Sequence, residues 1–223
     1  MQLPAIKMQI NEKLFVKDPE TTELGKKIIA HSIRLIDELG FEHFTFKKLG
    51  IAIDSNESSV YRYFESKHKL LLYLSSWYWS WIEYKLIYAT ANLSHPMDQL
   101  KAGITVVTEK ITDDANTAHI DEEILNRIII AEFTKTFLTK EVDQENKEGF
   151  FLIYKRVISH LVGFVGQCDP DYKYAQSLVS TIVQGALHQH YLHDHLKTIT
   201  SITRQQTVSE FYIDLVIKVL NRK

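Results

Sequence analysis

The stretch from Thr45 to Lys67, TFKKLGIAIDSNESSVYRYFESK, constrains the fold more than any other part of the chain. Thr45 is a good N-cap residue, and Phe46, Leu49, Ile51 and Ile53 behind it predict a short helix with an apolar side. Asp54-Ser55-Asn56 is turn chemistry, because short polar side chains bond their own backbone and tolerate unusual dihedrals. Asn56 can cap a second helix through Val60, Tyr61 and Phe64, and Ser66 a third that runs on from Lys67.

Two helices joined by a turn of about three to four residues fit the helix-turn-helix unit that reads DNA. In that unit the second helix enters the major groove. Its first turn therefore needs side chains that are small and can hydrogen-bond base edges. Ser58 and Ser59 meet that requirement. The flanks need donors for phosphate oxygens, and Thr45, Lys47, Tyr61, Tyr63 and Lys67 are the candidates.

Residues from about Leu24 to Leu72 resemble the N-terminal domain of TetR (tetracycline-repressor-type) regulators. The resemblance is carried by Leu39-Gly40-Phe41, Phe44-Thr45, Val60-Tyr61-Arg62-Tyr63-Phe64, Glu65-Ser66-Lys67 and Leu70-Leu71. Two positions depart from the family pattern: Asp54 stands where a turn glycine is usual, and Glu57 where the reading helix often starts with a basic residue. Asp can adopt a left-handed conformation at modest cost. Glu57 suits the positive end of a helix dipole, repels phosphates, and can accept from a cytosine amino group. The resemblance implies an all-α protein with an N-terminal three-helix helix-turn-helix DNA-binding domain and a C-terminal helical ligand-binding and dimerisation domain. It implies a homodimer on an inverted-repeat, double-stranded DNA operator, probing two half-sites about one helical turn apart. It also implies a small effector that changes the separation of the two reading heads.

A chain of 223 residues suits one large or two small domains. The expected division is an arm over 1–21, the DNA-binding domain over 22–68, and the effector and dimerisation domain over 69–223. Net charge is −2. The first 70 residues hold eleven Lys and Arg against ten Asp and Glu, a balance that predicts modest non-specific affinity from a few well-placed donors. Cys168 is the single cysteine, which rules out an internal disulfide and a cysteine zinc site. The sequence shows neither a signal-peptide core nor an apolar run long enough for a bilayer, so a cytoplasmic location without a membrane partner is expected.

In the arm, Ile6, Met8 and Ile10 alternate with polar residues and Leu14-Phe15-Val16 is apolar, which predicts an extended segment packed on the body, the favoured reading, or an arm whose Lys7, Lys13 and Lys17 touch phosphates. A first helix is expected from Thr22 to Leu39 with Gly40 as its stop. The helix from Lys67 to about Ala91 is apolar nearly all round, as a helix buried on most sides should be. Further helices are expected over about 96–111, 120–136, 150–166, 171–196 and 203–221, with a polar loop over Thr112–Ala118 and a solvated segment over Lys140–Glu148. The last two helices have the cleanest apolar faces. Leu178, Ile182, Gly185, Phe211, Leu215 and Val219 are the expected dimer contacts. Trp77, Trp81, Tyr84, Ile104, Val107, Ile128 and Tyr154 are the expected pocket wall, which makes the effector small and largely apolar.

His188, His190, His193 and His195 crowd one segment, but a helix turns them to opposite sides, so no metal site is expected there. No cofactor is expected either. The chain has no phosphate-cradling glycine loop and no nucleophile elbow, and Asp113-Asp114 and Glu122-Glu123 read as solvated caps, so an enzyme has no positive support. The alternative to a regulator is a helical ligand- or protein-binding module whose helix-turn-helix has lost DNA reading.

Overall fold

The computed structural model describes residues 8, 10–111 and 119–220. Every regular element among them is helical. The ten α-helices are α1 Glu23–His43, α2 Phe46–Ala52, α3 Glu57–Tyr61, α4 Lys67–Thr90, α5 Pro96–Thr108, α6 Glu122–Glu132, α7 Val142–Lys147, α8 Leu152–Cys168, α9 Ala175–His195 and α10 Val208–Leu220. The chain forms two compact units, one of residues 1–80 and 111–151, the other of 81–110 and 152–223. The expected loop over Thr112–Ala118, the expectations for Ile6 and Lys7 and the end at Asn221 lie outside the described residues.

In the first unit, α1 holds Ile28, Ile29, Ile33 and Ile36 in the core at helical spacing. Thr22 caps it, its hydroxyl accepting from the Gly25 N–H at 3.0 Å. Before α1, residues 11–22 are not a continuous extended strand. They make short 3-10 turns at Glu12–Leu14 and Pro19–Thr21, with Leu14 buried and the Val16 side chain left exposed. Around α4, Leu70 to Leu74 and Trp77 to Trp79 are buried on every side of the helix, as its unbroken apolar surface requires.

The break in α1 positions everything downstream. Gly40 takes φ 74° and ψ 154°, a conformation glycine adopts readily and L-residues avoid. Leaving the helix there frees the Phe41 N–H, which donates to Glu132 Oε1 at 3.1 Å. Lys135 sits on the other carboxylate oxygen at 2.7 Å and reaches Glu42 at 2.9 Å. On the opposite side, Lys67 Nζ donates to the carbonyls of Phe41 at 2.9 Å, Glu42 at 3.1 Å and Phe44 at 3.4 Å, and lies over the Phe41 ring. One anion and one cation therefore satisfy the backbone groups that the corner strips of partners.

Further polar contacts tie the same unit together. Arg127 grips Asp37 with two bonds of 3.0 and 2.8 Å. His68 Nε2 pairs with Glu145 at 2.9 Å. Glu145 belongs to the charged run expected to be solvated, yet it is buried. Glu20 meets both His119 and the Tyr73 hydroxyl. Burial raises the Glu20 pKa, and the His119 and Tyr73 bonds outweigh that to leave it below the usual carboxylate range.

In the second unit, Gly103 lets α5 approach Leu161 and Leu86, since a Cβ there would lie 2.6 and 3.0 Å from their methyl carbons. Gly185 of α9 makes room for Tyr212 of α10, whose hydroxyl would be 2.1 Å from an added Cβ. The buried Glu83 carboxylate is held by Arg156 through bonds of 2.8 and 2.5 Å. Thr108 bonds Ser209 at 2.8 Å, and the Thr108 carbonyl pairs with His190 Nε2 at 2.8 Å. No helix among the described residues is long and apolar enough to cross a membrane.

Replacing the Lys67 ammonium with an apolar chain of similar length, Lys67→Met, should leave three carbonyls short of a donor. Urea unfolding should register a loss of about 1–3 kcal/mol, where a solvated lysine would give almost none.

Candidate nucleic-acid interface

The helix-turn-helix is built by a close crossing and a tight stop. Phe46 and Leu49 of α2 and Ile53 at its C-cap are buried, as are Val60 and Phe64. Ile51, expected on the same apolar side, is 72% exposed, because it falls about 140° round the helix from Phe46. Helix α2 ends on Asp54 at φ 54°, the left-handed conformation for which glycine is the usual choice. The Ser55 N–H returns to the Gly50 carbonyl at 2.8 Å, closing the end of the helix. Asp54 therefore does the work of the turn glycine. The glycine the motif needs for packing is Gly50, where a Cβ would lie 2.9 Å from both Asn56 C and Glu57 N.

Asn56 caps α3. Its side-chain oxygen accepts from the Ser59 N–H at 2.9 Å, the Ser59 hydroxyl at 2.9 Å and the Ser58 hydroxyl at 2.6 Å. Ser58 is exposed and Ser59 is half-buried. Val60 faces the core with no exposed surface, while Glu57, Ser58, Tyr61 and Arg62 are all exposed. Tyr61 is 49% exposed and rests its ring edge-on against Phe46, centroids 5.0 Å apart. Thr45 caps α2 by accepting from the Lys48 N–H at 3.2 Å, which leaves its own O–H to donate outward. Lys47 is exposed beside it.

Two of the expected phosphate donors have other tasks. Tyr63 is 3% exposed, and its hydroxyl pairs with Thr22 at 2.8 Å. Lys67 is spent on the corner after Gly40. Both contacts reach back to α1 and its caps, far away in sequence. Arg62, exposed at the end of α3, was missed as a donor. It follows Tyr61 directly, so the outward spacing from Ser58 by four residues was the available signal.

Of the expected pocket wall, Trp77 and Ile128 are buried in the first unit, and Trp81, Ile104 and Val107 in the second. Tyr154 holds Gln184 through its hydroxyl at 3.3 Å, and Tyr84 is 44% exposed. None of the seven lines a shallow groove of about 280 Å³ bounded by Ser201, Ile202, Gln206, Thr207, Glu210 and Phe211. Among the expected dimer residues, Phe211 is exposed, and Leu178, Leu215 and Val219 are partly so. Ile182 is buried within its own chain, and Gly185 faces Tyr212 of its own α10.

The histidine run is dispersed as its helical spacing requires. His190 bonds Thr108, His193 pairs with Asp194 at 3.0 Å, and His195 lies against the Tyr191 ring. Burial holds the His190 pKa below its usual value, against the opposing effect of the Thr108 bond. Among the described residues no three His, Cys, Asp or Glu are grouped to hold a metal ion.

Residues 28–74 match the family model of the tetR family of bacterial regulatory proteins. Three solved structures share the fold at low identity. A tetR-family bacterial regulatory protein from Rhodococcus RHA1 has a TM-score of 0.61 at 16% identity, covering 89% of this chain and 97% of that one. The superantigen PfiT has 0.59 at 16%, covering 93% and 100%. AibR, in complex with isovaleryl coenzyme A and operator DNA, has 0.57 at 16%, covering 85% and 97%. The comparison with curated proteins finds no match.

Gly50→Ala should force α2 and α3 apart, because backbone atoms, not flexible side chains, meet the new methyl group. The expected loss is about 1–3 kcal/mol in thermal or urea unfolding. A Gly163→Ala control, where an added Cβ meets nothing within 4 Å, should lose none.

Proposed function

We propose that this chain, a DNA-binding regulator of the TetR family through the domain at residues 28–74, is a ligand-responsive repressor that binds an inverted-repeat operator as a homodimer in the cytoplasm. The observation that carries the reading is the outward face of α3. Polar side chains of Glu57, Ser58, Tyr61 and Arg62 stand out from a helix whose other side is locked by Val60, with Thr45 and Lys47 beside them. Small residues at the start of the helix permit the close approach to base edges that groove entry requires. Thr45, Lys47, Tyr61 and Arg62 then hold phosphates and fix the register. Dimerisation through α9 and α10 is supported by the apolar surface that Phe211, Leu215, Val219 and Leu178 leave uncovered.

The effector reading is supported by chemistry. Trp81, Ile104 and Val107 supply apolar and aromatic surface in the second unit, which suits a small, largely apolar molecule. AibR, of the same fold, holds isovaleryl coenzyme A together with operator DNA. Such a ligand switches a regulator only by binding one of two shapes more tightly than the other.

A second reading has its own observation. The fold is shared with PfiT, a superantigen, and a shared fold alone does not decide between reading DNA and binding another molecule. Salt separates the two. The regulator should bind the DNA upstream of its own gene with an affinity that drops by at least about ten-fold between 50 and 200 mM salt. A module that has lost DNA reading should show no saturable duplex binding at either salt. Tyr61→Phe, which keeps the ring on Phe46 and removes only the hydroxyl, and Lys47→Ala should each weaken binding while leaving thermal unfolding unchanged. A protein that is monomeric at the concentrations where it binds DNA would overturn the dimeric operator reading.

A further inference from the structure

The hydrogen-bond directions at α3 carry information about the base that it reads. A serine hydroxyl has one proton to give and two lone pairs to offer. The Ser58 and Ser59 protons are both committed to Asn56 Oδ1, at 2.6 and 2.9 Å. What these hydroxyls offer beyond the cap is therefore acceptor capacity. The neighbouring Glu57 is exposed, and an ionised carboxylate only accepts. Glu57 and Ser58 thus both present acceptors at the exposed start of α3, and the donors Tyr61 and Arg62 follow one turn later, four residues on from each.

An acceptor array selects among bases. In the major groove the amino groups of cytosine and adenine are the only base-edge donors, while guanine and thymine offer oxygen there. A carboxylate facing guanine O6 and N7 meets two acceptors and is repelled. The same carboxylate facing cytosine N4 gains a charge-assisted bond. Adenine places its own N7 acceptor beside the amino group, which a carboxylate tolerates less well than cytosine's edge.

Building on the DNA-binding reading above, we propose that Glu57 is a specificity-determining residue that accepts from the N4 amino group of a cytosine in each operator half-site. The acceptor-presenting Ser58 disfavours guanine at the adjoining position. Glu57 thereby converts what phosphate electrostatics would count as a defect into base discrimination.

The test is selection of bound sites from a randomised duplex library by the full-length protein, followed by affinities for single-base variants of the selected site. The wild type should prefer cytosine over guanine by about ten-fold or more at one position of each half-site. Glu57→Ala should flatten that position to within about two-fold and leave the rest of the site unchanged. Glu57→Gln should move the preference toward adenine, which a side-chain amide pairs through both N6 and N7. Sites selected equally by wild type and Glu57→Ala would overturn the inference while leaving the regulator reading intact. Failure of the wild type to retain any duplex would overturn both.

Discussion

The corner between α1 and α2 is the constraint on which the reading head depends. A helix that stops and turns sharply exposes donors and acceptors that a buried site cannot leave to water. At Gly40 the glycine supplies the turn, Glu132 takes the freed N–H and Lys67 takes three carbonyls. These charges come from two different elements, one at the end of α6 and one at the start of α4. The direction in which α2 leaves is therefore set by the first unit as a whole and not by the helix-turn-helix alone. At further points Arg127 on Asp37 ties α6 to α1, and Glu145 on His68 ties α7 to α4. A head tied down this firmly is suited to presenting a fixed surface.

This use of charge leaves less for DNA. Lys67 is consumed by the corner, Lys48 donates to the His43 carbonyl, and Lys26 pairs with Glu23. Lys47 and Arg62 remain exposed beside the hydroxyls of Thr45 and Tyr61. A near-neutral head with few committed phosphate donors is consistent across composition and structure. The short side chains at the start of α3 are also fixed in advance, since Asn56 orients both serines before any ligand arrives. Pre-set hydroxyls cost less ordering entropy at binding than free rotors would.

Much of the architecture was legible in the sequence because local chemistry decided it. Helical spacing of Ile28, Ile29, Ile33 and Ile36, caps at Thr22, Thr45, Asn56 and Ser66, and the stop at Gly40 all act over a few residues. What was not legible was decided at a distance. Tyr63 is drawn to Thr22, 41 residues away, and Lys67 to Phe41, 26 residues away. A tyrosine just past a short polar helix, or a lysine at the start of the next one, carries no local mark that says it will be spent on the core. Glu145 looked solvated because its neighbours are charged, and only the position of His68 shows otherwise. Gly185, expected at a dimer contact, admits Tyr212 of the same chain, and a glycine does not say which helix it admits. The roles of α9 and α10 toward a second copy, and of the aromatic residues toward an effector, depend on molecules that no periodicity encodes.

Weak attraction and acceptor-rich reading belong together. Non-specific affinity comes from phosphate neutralisation, and a genome offers so many competing sites that such affinity mostly withdraws protein from its operator. A carboxylate on the reading face penalises every sequence that cannot supply a donor opposite it. It therefore lowers binding to random DNA more than binding to a matched site. Discrimination of this kind rests on repulsion from wrong partners as much as on attraction to the right one. With Glu57 reading a cytosine as proposed, it and the sparse lysines act in the same direction: the head gives up grip on the phosphate backbone, and the ratio between operator and background rises.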